Sequence, residues 1–254
     1  MRWAELPAKL RIYILALSGL AFVIVCWSIR DLTVAPHDNY WIVITVLVIF
    51  TVPFSLLFPS VSTAVGIGDT YIMAIGMMYG VSPCIVATGC QTLCISIFAK
   101  RPQKYPYKIV FNISSTICGA WLYSSIYSWL NNESEHVRDI IVPAAILAVT
   151  FFLVNSLLTS IAIAWSTGES IPRFWRKTCI PLAQDYSISA VYATAMVLTR
   201  SVSEYIPLLV APFLGFIWGW HKLAEARVLQ AEKHIREQED LYLRTVESLA
   251  LAVD

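Results

Sequence analysis

The segment "VGIGDTYIMAIGMMYGVSPCIVATGCQTLCISIF", residues 65–98, decides the fold of this chain. It is mostly apolar, and it is longer than the ~20 residues that one membrane-spanning helix needs. Gly80 and Pro83 interrupt it near the middle, and residues of this kind are typical of a turn. We therefore predict two helices within residues 62–98, joined at Gly80 to Pro83.

The composition of the whole chain indicates a membrane protein. Hydrophobic residues make up 57% of the sequence and charged residues only 14%, whereas charged residues make up about 25% of an average soluble domain. The net charge is +1, and the basic residues form short clusters beside apolar segments. The preference of basic loops for the cytoplasmic side of a membrane explains such clusters. We therefore expect the lipid bilayer, and no nucleic acid, as a partner.

Six further segments have the length and hydropathy of membrane spans. They are residues 12–29, 40–58, 108–130, 140–165, 179–198 and 205–220. With the two helices of residues 62–98, the sequence predicts an all-α protein, a polytopic transmembrane helix bundle of about eight spans.

The basic loops predict the orientation of this bundle. Eight spans place the N-terminus, the loop "KRPQKYPYK" at residues 100–108, the basic cluster at 173–177 and the C-terminal tail on one side. Basic loops stay in the cytoplasm, so both termini are predicted to be cytoplasmic. A single span within residues 62–98 would put the loop at 100–108 outside, against this rule.

Polar residues within the apolar segments are the candidate functional residues. An aspartate at the centre of a membrane helix costs about 2.5–3.5 kcal/mol on insertion scales, so such groups face the bundle interior and find partners. The candidates for ligand binding or signal coupling are Asp69, Asn112, Asn155, Gln184 and Asp185. The alternative is a structural role, in which they form hydrogen bonds between helices. For Asp69, which follows "VGIG", that role would be the N-cap of the next helix.

The sequence predicts no catalytic residues, no metal site and no cofactor within this chain. The four histidines have no HExxH spacing, and no Ser/His/Asp set is recognisable. Cys90 and Cys94 share a helix face but lack further ligands nearby in sequence. A membrane-embedded enzyme would need Asp69 and Asp185 to face each other at similar depth.

After Trp220 the chain continues into a highly charged segment, "HKLAEARVLQAEKHIREQEDLYLRTVESLALAVD". It contains no helix breaker, and a seam of three-four spacing runs through it. We predict a long cytoplasmic helix that forms a homodimeric coiled coil; the alternative is a solvated helix without a partner. The predicted dimer seam includes Val228, Ala231, Ile235 and Tyr242.

The last residues, "LYLRTVESLALAVD" at 241–254, carry a resemblance to a known family. They resemble the opening helix of HD-GYP domains, the bacterial cyclic di-GMP phosphodiesterases of the HD superfamily, in which "T-x-x-x-L-A-x-A-x-(D/E)-A-K-D" precedes the first metal-ligand histidine. The matching positions are Thr245, Leu249, Ala250, Ala252 and Asp254. Neither the HD pair nor the GYP loop is present in the sequence.

The membrane portion also looks like the multi-spanning sensor regions that precede HD-GYP or GGDEF domains, where a pair such as Phe111-Asn112 opens a span after a basic loop. The resemblance implies a sensor domain at 1–220, a coiled-coil connector at 221–244, and at 245–254 the start of a metal-dependent phosphohydrolase. It implies a protein of the bacterial inner membrane that detects a small ligand or a membrane state. Divalent metal would belong to the output domain. The alternative is a transporter or a substrate-binding component for vitamin uptake, which the glycines around Asp69 favour.

Overall fold

The protein was analysed as a computed structural model. The structure describes residues 3–34, 38–52, 56–57, 64–65, 67–98, 105–131 and 137–200, together with Gln238. The chain divides into two compact units, Met1–Leu209 and Val210–Asp254. All elements below belong to the first unit.

The described part of the first unit is built from helices. A 3-10 turn at Trp3–Glu5 precedes them, and a two-residue antiparallel ladder joins Leu56–Leu57 to Ala64–Val65. The helices are α1 (Ala8–Val34), α2 (Tyr40–Thr51), α3 (Ile67–Tyr79), α4 (Val81–Phe98), α5 (Pro106–Leu130), α6 (Val137–Thr167), α7 (Ile171–Phe174) and α8 (Ala183–Thr199). Between α7 and α8 the chain forms a π-helical turn at Trp175–Cys179 and a 3-10 turn at Ile180–Leu182.

The predicted break within residues 62–98 is present at Gly80, where α3 ends and α4 begins. Gly80 has φ +88°, a left-handed conformation that costs a residue with a side chain about 1–2 kcal/mol. Pro83 lies in the first turn of α4, where its missing N–H has no partner in the helix to lose. The chain therefore reverses here in a single residue.

Among the described residues, four helices are long and apolar enough to cross a membrane: Ala8–Val34, Val81–Phe98, Pro106–Leu130 and Asp139–Thr167. They make this a membrane protein by length and composition. The other helices predicted as spans are shorter than expected, since α2 ends at Thr51 and α3 begins only at Ile67. The predicted segment 205–220 lies outside the described residues. The count of eight spans therefore stays a prediction.

The surface of α1 shows how the bundle meets the bilayer. One face is buried at spacings of three and four residues, from Leu10 and Ile14 through to Ser28. The opposite face leaves large apolar side chains exposed, with Ile12 at 68% and Phe22 at 70%. A continuous apolar face of this size is unfavourable in water and suits the hydrocarbon of a membrane.

Helix α3 lies at the centre of the bundle. It packs against α2, α4, α5 and α8, and every residue from Thr70 to Met77 is buried. Gly76 allows α4 to come close, because a Cβ at this position would lie 3.1 Å from the sulfur of Cys84. A helix that is buried on all sides is typical of a core element rather than a lipid-facing one.

Connectivity defines two ends of the bundle. At one end, called here the far end, α1, α3, α5 and α8 end and α2, α4 and α6 begin. Arg200 lies here, directly after α8, and donates a hydrogen bond to the carbonyl of Met78 at 3.0 Å. Its guanidinium also lies 3.5 Å from the Asp38 carboxylate and 4.9 Å from the centre of the Tyr79 ring. Arg200 thus joins the end of α8 to the end of α3 and the start of α2.

Candidate functional site

A cavity of about 370 Å³ lies at the opposite end of the bundle, called here the cavity end. At this end α1, α3, α5 and α8 begin and α4 and α6 end. The volume falls within the range of small-molecule sites, roughly 300–1,000 Å³. The residues that line it include Asp69, Ile72, Thr88, Gln91, Thr92, Ser96, Lys108, Phe111, Asn112, Ser115, Thr116, Phe151, Asn155, Thr159, Ser166 and Tyr186.

The polar lining comes from one stripe on each of three long helices. Helix α4 contributes Thr88, Gln91, Thr92 and Ser96; α5 contributes Lys108, Asn112, Ser115 and Thr116; and α6 contributes Asn155, Thr159 and Ser166. Within each helix these positions are three, four or seven residues apart, or lie next to one another, so they share a face. The three long helices thus turn their polar faces inward and their apolar faces outward. Asn112 and Asn155 were predicted from the sequence as candidate ligand residues, but the serines and threonines were not. Their spacing along each helix is the signal that could have identified them.

Asp69 contributes the negative charge of the cavity wall. The side-chain amide of Gln91, on α4, donates a hydrogen bond to its Oδ1 at 3.3 Å. Asp69 is the third residue of α3. The helix already begins at Ile67, so Asp69 lies three positions past the N-cap, and the expected N-cap role was wrong. In the first helical turn a carboxylate is stabilised by the unpaired N–H groups and the positive end of the helix dipole.

A hydroxyl pair joins α4 to α5 at the same level. The Oγ1 atoms of Thr92 and Thr116 lie 3.0 Å apart, and Thr116 also donates to the carbonyl of Asn112 at 2.9 Å. Thr92 follows Gln91 directly, so the hydroxyl pair and the Asp69–Gln91 contact lie at similar depth. These bonds set the spacing of two walls of the cavity.

Asn112 and Asn155 offer amide groups on two neighbouring helices of the cavity wall, α5 and α6. None of the hydrogen bonds among the described residues involves either side-chain amide, and both side chains are half-buried. Each amide can donate two hydrogen bonds and accept two. This capacity is open to a molecule in the cavity.

Ser96 shows unmet hydrogen-bonding capacity directly. Its side chain is only 9% exposed, and its buried Oγ has no hydrogen-bond partner among the described residues. An unsatisfied buried polar group costs about 1–3 kcal/mol. Because Ser96 lines the cavity, water or a ligand can satisfy this hydroxyl.

Aromatic rings close the inner part of the cavity. The ring centres of Phe151 and Tyr186 lie 5.1 Å apart, and Tyr123 packs edge-on against Phe151 at 4.8 Å. Phe151 and Tyr186 line the cavity here, whereas Phe111 lines it near the start of α5. The site therefore combines an aromatic floor with polar walls, the usual composition of a small-molecule pocket.

The remaining candidates lie elsewhere. Gln184 is exposed on α8 and does not line the cavity; Tyr186, two positions on, faces it instead, because residues two apart point to different sides of a helix. The backbone of Asp185 belongs to α8, and its side chain lies outside the described part of the chain. The seam residues Val228, Ala231, Ile235 and Tyr242 lie outside the described residues.

Across the described ranges, no group of three or more histidine, cysteine, aspartate or glutamate side chains is placed to hold a metal ion. The cavity itself is lined by hydrogen-bonding and apolar side chains.

No protein-family model, curated protein or solved structure matches this chain.

Proposed function

We propose that the helical bundle is a membrane-embedded sensory input module that binds a small ligand in the cavity at its cavity end. In this proposal it is a multi-pass protein of the bacterial inner membrane, with about eight spans and both termini cytoplasmic. The observation that carries the proposal is the convergence of Asp69, Asn112 and Asn155 on one cavity. These residues are far apart in sequence.

The state of the polar groups supports binding over a purely structural role. Structural polar residues in membrane bundles bond to one another across helices. Here the amides of Asn112 and Asn155 make no such bond among the described residues, and the hydroxyl of Ser96 is buried without a partner. A cavity with open hydrogen-bonding capacity and an aromatic floor is suited to a polar organic molecule.

The basic loops place the cavity end on the cytoplasmic side in this proposal, since α1 begins and α4 ends there. The ligand would then reach the site from the cytoplasm or from the inner leaflet. Binding would favour one packing of the bundle over another, as any ligand with unequal affinity for two states does.

The output half of the proposal rests on the resemblance of residues 241–254 to the start of HD-GYP domains. A dimeric helix at residues 221–244 would carry the change in packing to a cyclic di-GMP phosphodiesterase whose active site holds divalent metal. Weakly packed helix pairs suit this task because small displacements can change their register.

The experiment compares two tryptophan substitutions on α6 in cells that express the complete gene. Thr159→Trp fills the cavity, whereas Leu157→Trp adds the same side chain at a position that is 41% exposed on the apolar surface. Only Thr159→Trp is expected to change the cellular cyclic di-GMP level, at equal protein amounts in the membrane. Equal cyclic di-GMP levels in both variants and in the parent would contradict a sensory role for the cavity.

The same cavity also fits the second candidate, a transporter or a substrate-binding component for uptake, which needs a polar site between helices. Deletion of residues 222–254 separates the two candidates. A sensor loses its influence on cyclic di-GMP, whereas an uptake protein keeps near-normal uptake. The reading frame after the Asp254 codon is a further test, because an HD pair and a GYP loop there would support the phosphodiesterase.

A further inference from the structure

The charges of the cavity are arranged by depth. Lys108 lies in the first turn of α5, at the mouth, and its Nζ lies 5.5 Å from the centre of the Tyr105 ring. Thr116 is eight residues further along the same helix, which is about 12 Å at a rise of ~1.5 Å per residue. Thr116 pairs with Thr92, next to the partner of Asp69. The positive charge therefore lies at the entrance and the negative charge well inside.

The two charges differ in how strongly solvent weakens them. Lys108 is exposed, so water and salt screen its field over about 8–10 Å. Asp69 is half-buried among helices, where the effective dielectric constant is lower and a charge acts over a longer range. The charge of Asp69 is therefore screened less than the charge of Lys108.

The hydrogen bond from Gln91 at 3.3 Å stabilises the negative charge of Asp69. Its position in the first turn of α3, at the positive end of the helix dipole, does so as well. A carboxylate has about four acceptor positions and can bond to a ligand as well as to the protein.

The aromatic floor adds a second attraction for positive charge. Phe151 and Tyr186 line the inner part of the cavity, and the face of an aromatic ring attracts a cation by about 0.5–2 kcal/mol, more when water is excluded. Acceptor oxygens are also available on Thr88 and Asn155. A protonated amine can interact with the carboxylate, the aromatic rings and the acceptor oxygens at once. An anionic ligand would be repelled by the like charge of Asp69.

From this arrangement we propose that the ligand is a small organic amine that binds as its cation, with the ammonium group at Asp69 and its apolar part against the aromatic floor. This inference rests on the proposed function of the cavity as a ligand site. The inference adds that the ligand is a cation and that its ammonium group lies at Asp69.

The test measures which charge the cavity admits, and it does not require the natural ligand. Thr159 lines the cavity on α6 and is half-buried, so Thr159→Cys introduces a thiol there with little change in size. The six native cysteines (Cys26, Cys84, Cys90, Cys94, Cys118 and Cys179) are first replaced by serine or alanine. Two thiol reagents of similar size are then compared in the full chain in detergent: MTSET, which is cationic, and MTSES, which is anionic.

Each reaction rate is divided by the rate of the same reagent with 2-mercaptoethanol, which removes intrinsic differences in reactivity. The expected ratio of normalised rates at Thr159→Cys is at least tenfold in favour of MTSET. Asp69→Asn should bring the ratio close to one. The matched control is Asp31→Asn at the far end, which removes the same charge from a carboxylate that accepts a bond from Ser82 at 2.6 Å; it should leave the ratio unchanged.

The outcomes separate the two proposals. Equal normalised rates, or a ratio that Asp69→Asn does not change, would overturn the assignment of a cationic ligand. They would not contradict the proposal that the cavity binds a small ligand. If neither reagent modifies Thr159→Cys while both modify Ser170→Cys, at an exposed position before α7, the cavity is closed to small molecules and the proposed function fails as well.

Discussion

Asn155 lies against Gly119 so closely that a Cβ at Gly119 would come within 3.1 Å of the Asn155 Oδ1. The absence of a side chain at Gly119 therefore lets α5 and α6 approach and holds the amide at the cavity wall. A glycine on the neighbouring contact of α4 with α5, Gly89, is less crowded, since its Cβ would meet Ile117 at 3.7 Å.

Gly119→Ala is expected to lower the melting temperature, because overpacking costs about 1–3 kcal/mol and exceeds the ~1 kcal/mol gained from higher helix propensity. Gly89→Ala, the matched control, gains the propensity without the clash and should be neutral or stabilising. Tryptophan fluorescence during heating in detergent measures both. An equal rise in melting temperature for the two variants would show that Asn155 does not limit the contact.

Gly80→Ala tests the turn between α3 and α4. Nothing lies within 4 Å of a Cβ at Gly80, so any loss of stability comes from its φ of +88°, and we expect about 1–2 kcal/mol. Gly19→Ala is the control, since Gly19 also has open space but lies inside α1. In the same thermal assay, Gly80→Ala should lower the melting temperature and Gly19→Ala should raise it. An unchanged or higher melting temperature for Gly80→Ala would contradict the left-handed turn.

Arg200→Lys tests the contacts at the far end. Lysine keeps the charge, but it lacks the planar group that bonds to Met78 and at the same time reaches Asp38 and the Tyr79 ring. We expect a loss of about 1 kcal/mol, part of which disappears at high salt because the Asp38 pair is half-exposed. The control, Arg173→Lys, changes an exposed residue of α7 and should leave the melting temperature unaltered.

Phe22→Lys tests whether the apolar face of α1 contacts lipid. Phe22 is 70% exposed and lies at the middle of α1, whereas Ile12, which is 68% exposed, lies near its start. A lysine at the centre of a membrane helix costs about 2.5–3.5 kcal/mol, but near the end its side chain can reach the interface. Membrane fractionation should therefore show strongly reduced insertion for Phe22→Lys and nearly normal insertion for Ile12→Lys; equal insertion would contradict a lipid-facing α1.

The proposed dimer seam, outside the described residues, has its own test. With the native cysteines replaced, Ile235→Cys should crosslink across a parallel coiled coil, because a seam position faces its copy in the partner helix. Glu232→Cys, on the flank, should crosslink poorly. Oxidation of membranes followed by non-reducing electrophoresis measures both, and the reverse order of efficiency would remove the proposed register.

The helices and their main break could be predicted because they depend on local signals. Gly80 ends α3 where the sequence places it, since only local backbone geometry is involved. The end of α2 was harder to predict: hydropathy continues to Phe58, yet the helix ends at Thr51, and Pro53 has no N–H with which to continue the helical hydrogen bonds.

The cavity was only partly predictable. Sequence reasoning selected Asp69, Asn112 and Asn155 as polar residues in apolar segments, but their meeting depends on packing between distant helices. It also selected Gln184, which is exposed, because polarity alone does not show which way a residue of a helix faces. Ser96 was missed because a single serine carries little weight in hydropathy, although its spacing from Thr88 and Thr92 places it on the same face.

The burial of α3 on every side has a mechanical consequence. Changes in bilayer thickness or lipid composition act first on helices that touch lipid, such as α1, and α3 has no such surface between Thr70 and Met77. Its first turn carries Asp69 at the cavity, and the carbonyl of Met78 in its last turn accepts a hydrogen bond from Arg200. Helix α3 is thus shielded from the bilayer by its neighbours. A displacement of α3 at the cavity would reach the far end of the bundle and would depend little on the state of the lipid.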